Sequence, residues 1–81
     1  MTLQELRSEI EAVDLEIIRL IKARMDVASR IADEKAAEHL PTRDPGRVNV
    51  VLDRVCRLAG SEGMDPGPVE DIFRILIAMS E

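Results

Sequence analysis

Three cations fall where the sequence calls for an apolar helical seam. With heptads counted from Leu3 as position a, Arg24 takes an a position between Leu20 and Val27, and Arg7 and Lys35 take e positions on the border of the same stripe. A buried guanidinium without an anion is costly, so Arg24 asks for a negative partner. Two kinds fit: a structural carboxylate from Asp14, Asp26 or Asp33, or the carboxylate of a bound ligand. Glu9, Glu11, Arg19, Lys22 and Arg30 read instead as a solvated face. Nucleophilic and metal chemistry have little to work with. Cys56 and His39 stand alone in their types, too few for an internal disulfide or the usual ligands of a zinc cage. Cys56 reads as a packed thiol, His39 as a C-terminal cap or loop residue, and Met25, Met64 and Met79 as packing.

The chain that must position these cations has 81 residues, enough for one domain over 1–81 with one core. It is 46% hydrophobic and 33% charged, the balance of a folded protein and not of a disordered one. A single Phe with no Trp or Tyr leaves no stacking platform for nucleic acid, and a net charge of −5 repels both nucleic acid and an acidic membrane. The start, Met1-Thr2-Leu3-Gln4-Glu5, carries no basic segment followed by an apolar stretch. Apolar runs stay far short of a membrane span. The expected compartment is the reducing cytoplasm.

The elements are helices. Leu3, Leu6, Ile10, Val13, Ile17 and Leu20 advance by threes and fours, and Val27 and Ile31 resume the series. Thr2 and Glu5 make a capping box, and no Gly or Pro interrupts residues 1–40. Pro41 restricts Leu40, so the first helix is expected to end at about Glu38 to Leu40. Asp44-Pro45 caps and opens a second helix whose apolar face is Val48, Val51, Leu52, Val55 and Ala59, closed by Gly60-Ser61-Glu62-Gly63. Its Val48-Asn49-Val50-Val51-Leu52 run has strand character, but the cap and the charges at Asp53, Arg54 and Arg57 favour helix. Asp65-Pro66 opens a third, carrying Val69, Ile72, Phe73, Leu76 and Met79, with Ile75 and Ile77 widening its face. The fold class is all-α, three helices with a very long first one.

That length decides the assembly. A compact chain of this size is roughly 30 Å across, whereas a helix of about 37 residues runs roughly 55 Å. Two shorter helices cannot cover its Leu and Ile stripe, so an intertwined homodimer with the long helices antiparallel is expected. Arg7 and Lys35 lie roughly 42 Å apart on one helix and share no site within a chain. In an antiparallel pair crossing near Ile17 and Ile18, the partner's Arg7 comes beside about residue 29, between Arg24 and Lys35. Arg43 or Arg47, after the first helix, reaches the same place. Four cations then surround one spot, twice per dimer. Their natural occupant is a small dicarboxylate, matched by planar guanidinium forks.

These residues resemble the all-helical chorismate mutases, a family of three helices per chain in an entwined dimer. The resemblance rests on Leu6-Arg7 with Ile10, Val13-Asp14, Ile17, Leu20-Ile21, Ala23-Arg24, Val27-Ala28 and Lys35. It continues through Arg43-Asp44, Arg47, Ile72-Phe73, Leu76-Ile77 and Ser80, and so covers nearly the whole chain. It implies conversion of chorismate to prephenate, an isomerisation in the shikimate pathway to phenylalanine and tyrosine. The reaction is a one-substrate Claisen rearrangement with no cofactor, metal or covalent intermediate. By position, the partner's Arg7 and Arg24 would hold the two carboxylates, and Lys35 would donate to the ether oxygen. Arg47 and Asp44 would border the ring and its hydroxyl, with Ser80 near the ring carboxylate.

Two positions depart from the family. The residue after the second-helix arginine is often Glu, contacting the ring hydroxyl; here it is Val48. The family usually also has a Gln or Glu about one turn beyond Ser80 that donates to the ether oxygen, and this sequence stops at Glu81. Loss of one such donor costs on the order of 3 kcal/mol, about a hundredfold in rate. Val48 opens the substrate to related compounds: an isochorismate pyruvate-lyase or a 4-amino-4-deoxychorismate mutase shares the scaffold. A non-catalytic helical dimerisation or regulatory module is the alternative of another class, and a mutase that needs a larger shikimate-pathway enzyme for activation is a variant of the first reading.

Overall fold

The computed structural model describes residues 1–41 and 44–81. Three helices follow one another, α1 (Leu3–Ala37), α2 (Pro45–Ser61) and α3 (Pro66–Met79), with no strand among the described residues. The Val48–Leu52 run is helical, with Val51 and Leu52 buried and Val50 exposed. None of the helices is long and apolar enough to cross a membrane, among the described residues.

Local chemistry sets each boundary. The Thr2 hydroxyl accepts from the Glu5 N–H at 3.1 Å while the Glu5 carboxylate accepts from the Thr2 N–H at 3.3 Å, closing the expected capping box. Asp44 caps α2 by accepting from the Arg47 N–H at 3.2 Å, and Asp65 caps α3 through the Gly67 N–H at 3.0 Å. At its other end α1 stops at Ala37, a residue short of the expected range. The cause is a hydrogen-bonded cap and not Pro41 alone. His39 turns into the left-handed region at φ 57°, and the Leu40 N–H then reaches back to the Lys35 carbonyl at 2.8 Å. The same geometry closes α2, with Gly63 at φ 74° and the Met64 N–H on the Ala59 carbonyl at 2.8 Å.

α2 and α3, joined by a short turn, pack on each other as a hairpin and enclose the buried residues Val51, Leu52, Val55 and Ala59. α1 buries none of its residues. Its half-buried positions are Ile21, Arg24, Ala28 and Lys35, one stripe confined to its C-terminal half, while residues 1–20 are all exposed. The chain is therefore elongated, 55 × 24 × 16 Å with a radius of gyration of 16.0 Å, against roughly 12 Å for a compact domain of this length. Leu3, Leu6, Ile10, Val13, Ile17 and Leu20 form a bare apolar stripe, with Leu20 at 68% exposure.

Candidate active site

A half-open cavity of about 560 Å³ lies where the C-terminal half of α1 meets the start of α2 and the end of α3. Val27, Ala28, Ile31 and Ala32 of α1, with Val51 of α2 and Ile77 of α3, give it an apolar lining. Around that lining stand Arg24 and Lys35 from α1, Asp44 at the α2 cap, Arg47, Val48 and Arg54 from α2, and Ser80 and Glu81 after α3. Arg24, Lys35, Asp44, Arg47, Val48 and Ser80, each picked from the sequence as a site residue, thus meet in one cavity. Arg7 does not join them: it lies on the exposed half of α1, about 25 Å along the helix from Arg24. Arg43 lies outside the described residues.

Helical spacing explains who is present. Arg24, Ala28, Ile31 and Lys35 recur at three, four and seven residues and so share one face of α1. Lys35 sits in the last turn, where a cation is favoured by the helix dipole and where the Leu40 cap holds the backbone. Asp44 does two jobs with one side chain, since the carboxylate that caps α2 also borders the cavity. Ser80 directs its hydroxyl at the Leu76 and Ile77 carbonyls, 3.2 and 3.0 Å away. Donation to a ligand requires that hydroxyl to rotate.

Arg24 meets none of the structural carboxylates that the sequence offered it. Asp14, Asp26 and Asp33 make no ion pair with it; between described residues the one ion pair is Arg74 with Glu70, at 3.4 Å on α3. The Arg24 guanidinium instead lies over the ring of Phe73, 5.9 Å from its centroid. A half-buried cation resting on an aromatic face retains its in-plane donors for an anion. Four of the chain's 11 Lys and Arg residues border this cavity, against two of its 16 Asp and Glu residues. The local charge balance reverses that of the molecule. An apolar floor under such a rim suits a small ring-bearing dianion.

Arg54 is the cation that sequence reasoning missed, used there only as one of the charges that favour helix for α2. Arg47, Val51 and Arg54 are spaced by four and three, the sign that all three share a helix face. Glu81 also borders the cavity without having been singled out.

An all-helical domain with a half-open, cation-rimmed cavity is the class that fold and cavity define. The profile of chorismate mutase type II matches residues 6–81, and the chain belongs to that family, an enzyme family of isomerases. Among curated relatives, a 4-amino-4-deoxychorismate mutase of Streptomyces venezuelae is 35% identical over 93% of this chain and 73% of its own length. A chorismate mutase of Methanocaldococcus jannaschii is 33% identical over 93% of this chain and 76% of its own. A bifunctional chorismate mutase/prephenate dehydratase of Aquifex aeolicus is 39% identical over 69% of this chain, which spans 16% of that larger protein.

Proposed function

We propose that this domain rearranges chorismate to prephenate in a site completed by a second copy of the chain. The observation that carries the reading is the cavity in which Arg24, Lys35 and Arg47, drawn from two helices, surround an apolar floor. The reaction needs no proton transfer: the ether C–O bond breaks as the new C–C bond forms, within one cyclic flow of electrons. Catalysis therefore consists of holding the flexible dianion in its reactive chair and stabilising charge that builds on the ether oxygen. Arg24 and the partner's Arg7 grip the carboxylates, and Lys35 donates to the ether oxygen. Arg47 and Asp44 border the ring and its hydroxyl, Val48 packs against the ring, and Ser80 approaches the ring carboxylate.

The bare stripe on α1 supports the intertwined homodimer. Burying six half-exposed Leu, Ile and Val side chains per chain is worth about 1 kcal/mol or more each, a sum comparable to what four buried residues give the lone chain. An antiparallel partner covers that stripe and carries its Arg7 to the open side of the cavity. A second substrate, 4-amino-4-deoxychorismate, is favoured by one observation, the 35% identity to the Streptomyces venezuelae enzyme. Its ammonium needs a carboxylate, and Asp44 and Glu81 are the acids at the cavity.

The test is loss of substrate absorbance with purified protein, run with each substrate and with the products identified. Prephenate from chorismate supports the reading; pyruvate release, or turnover of the amino compound alone, replaces it with the corresponding relative. Activity only on addition of a larger shikimate-pathway enzyme makes this a partner-dependent mutase. Dimeric protein inert under all of these conditions is a non-catalytic module. Mixing inactive Arg7→Ala with inactive Lys35→Ala subunits should restore one site per heterodimer, and no recovery after verified subunit exchange would overturn the shared site.

A further inference from the structure

We infer that Arg54 is a further substrate-binding residue, a second guanidinium on α2 that takes a carboxylate oxygen of the bound dianion. The inference rests on the reading above. Arg47 and Arg54 lie seven residues apart on one face of α2, two turns or about 10 Å along its axis, with Val51 between them. All three border the cavity, so α2 presents an apolar step flanked by two forks. Such a stripe fits a ligand with an apolar ring and more than one carboxylate.

Charge makes the case. Arg54 forms no ion pair with any described residue, although exposed Arg74 on the neighbouring helix does. Four cations converge on the cavity of a chain whose net charge is −5, and their mutual repulsion has no compensating anion among them beyond Asp44 and Glu81. One oxygen of Asp44 is already engaged by the Arg47 N–H. A gathering of like charges of this kind is stabilised when an anion arrives, which makes Arg54 part of the affinity for substrate.

Arg54 lies at the exposed edge of the cavity, so its grip is present in the bound substrate and in the transition state alike. That predicts an effect on KM more than on kcat. The experiment is steady-state kinetics with chorismate on the full chain, comparing wild type with Arg54→Ala, Arg54→Gln and Arg54→Lys. A hydrogen bond to a charged group at an exposed edge predicts a KM raised about tenfold for Ala and Gln, with kcat/KM falling in proportion. Lys should recover only part, because an ammonium lacks the fork. Ala is the best helix former, so fold is expected to hold; if circular dichroism shows otherwise, Gln, which keeps most of the stem, carries the test. KM within twofold of wild type in the folded variant overturns the inference while leaving the mutase reading intact. Full recovery by Lys also overturns it, reducing Arg54 to a steering charge. Wild-type protein inert on chorismate overturns both, a result distinct from either of the others.

Discussion

Arg24 has its guanidinium on the Phe73 ring at 5.9 Å, and Phe73 is the chain's single aromatic residue. The contact holds a cation in a half-buried place without neutralising it, leaving its donors for a ligand carboxylate. Lys35 shares that face of α1 about three turns on, with its carbonyl clamped by the Leu40 N–H. In the proposed roles each contributes charge that a rearranging dianion needs most as its ether bond breaks. Arg24→Ala and Lys35→Ala are each expected to lower kcat/KM by about a hundredfold or more while the helical circular dichroism spectrum stays that of wild type. Turnover within tenfold of wild type in either variant would remove that residue from the site.

At the scale of elements, caps and functional side chains coincide. Asp44 caps α2 and borders the cavity, and the two roles separate by substitution. Asp44→Ala should cost about 1 kcal/mol of stability through the lost cap. Asp44→Asn, which still accepts from the Arg47 N–H, should keep the thermal midpoint and yet change KM, since the charge beside the ring is gone. Equal melting points for all three proteins would mean the cap contributes nothing. α1 ends on His39 at φ 57°, a conformation in which a side chain is strained and Gly is not. His39→Gly should therefore stabilise by about 0.5–1 kcal/mol despite the added freedom of the unfolded chain, read as a rise in denaturant midpoint. A lower midpoint would show that the imidazole makes contacts worth more than the strain.

For the whole molecule, the asymmetry of α1 matters most. Its C-terminal half carries the half-buried Ile21, Arg24, Ala28 and Lys35 and touches α3 where Arg24 lies over Phe73, and its N-terminal half displays an apolar stripe to water. If a second copy covers that stripe, folding and association are one equilibrium and the thermal midpoint rises with protein concentration. Ile10→Lys, 60% exposed in the single chain, should then lower the midpoint by 10 °C or more and shift the sedimenting species toward monomer. An unchanged midpoint and unchanged mass would place Ile10 outside any interface. The same assembly is what would carry Arg7 to a cavity that it cannot reach in its own chain.

The capping box at Thr2, the Asp-Pro starts at Asp44 and Asp65, and the periodic stripes made the three helices legible in the sequence, because each depends on neighbours within a few residues. The α1 end at His39 was less so, since a left-handed cap leaves no mark when its residue is not Gly. Arg24 and Lys35 stood out in the sequence because charge on or beside an apolar seam contradicts its surroundings, and Arg47 because it follows the end of the first helix. Arg54 did not, because on a linear reading it is one more charge on a helix. Only the placement of the end of α1 beside the α2–α3 hairpin decided which cations share a cavity, and that Arg24 meets an aromatic ring and not an aspartate. Local hydrogen bonds and periodicity act over one or two turns and are written in sequence order, whereas side chains 56 residues apart, as Arg24 and Ser80 are, border one cavity only through the tertiary fold.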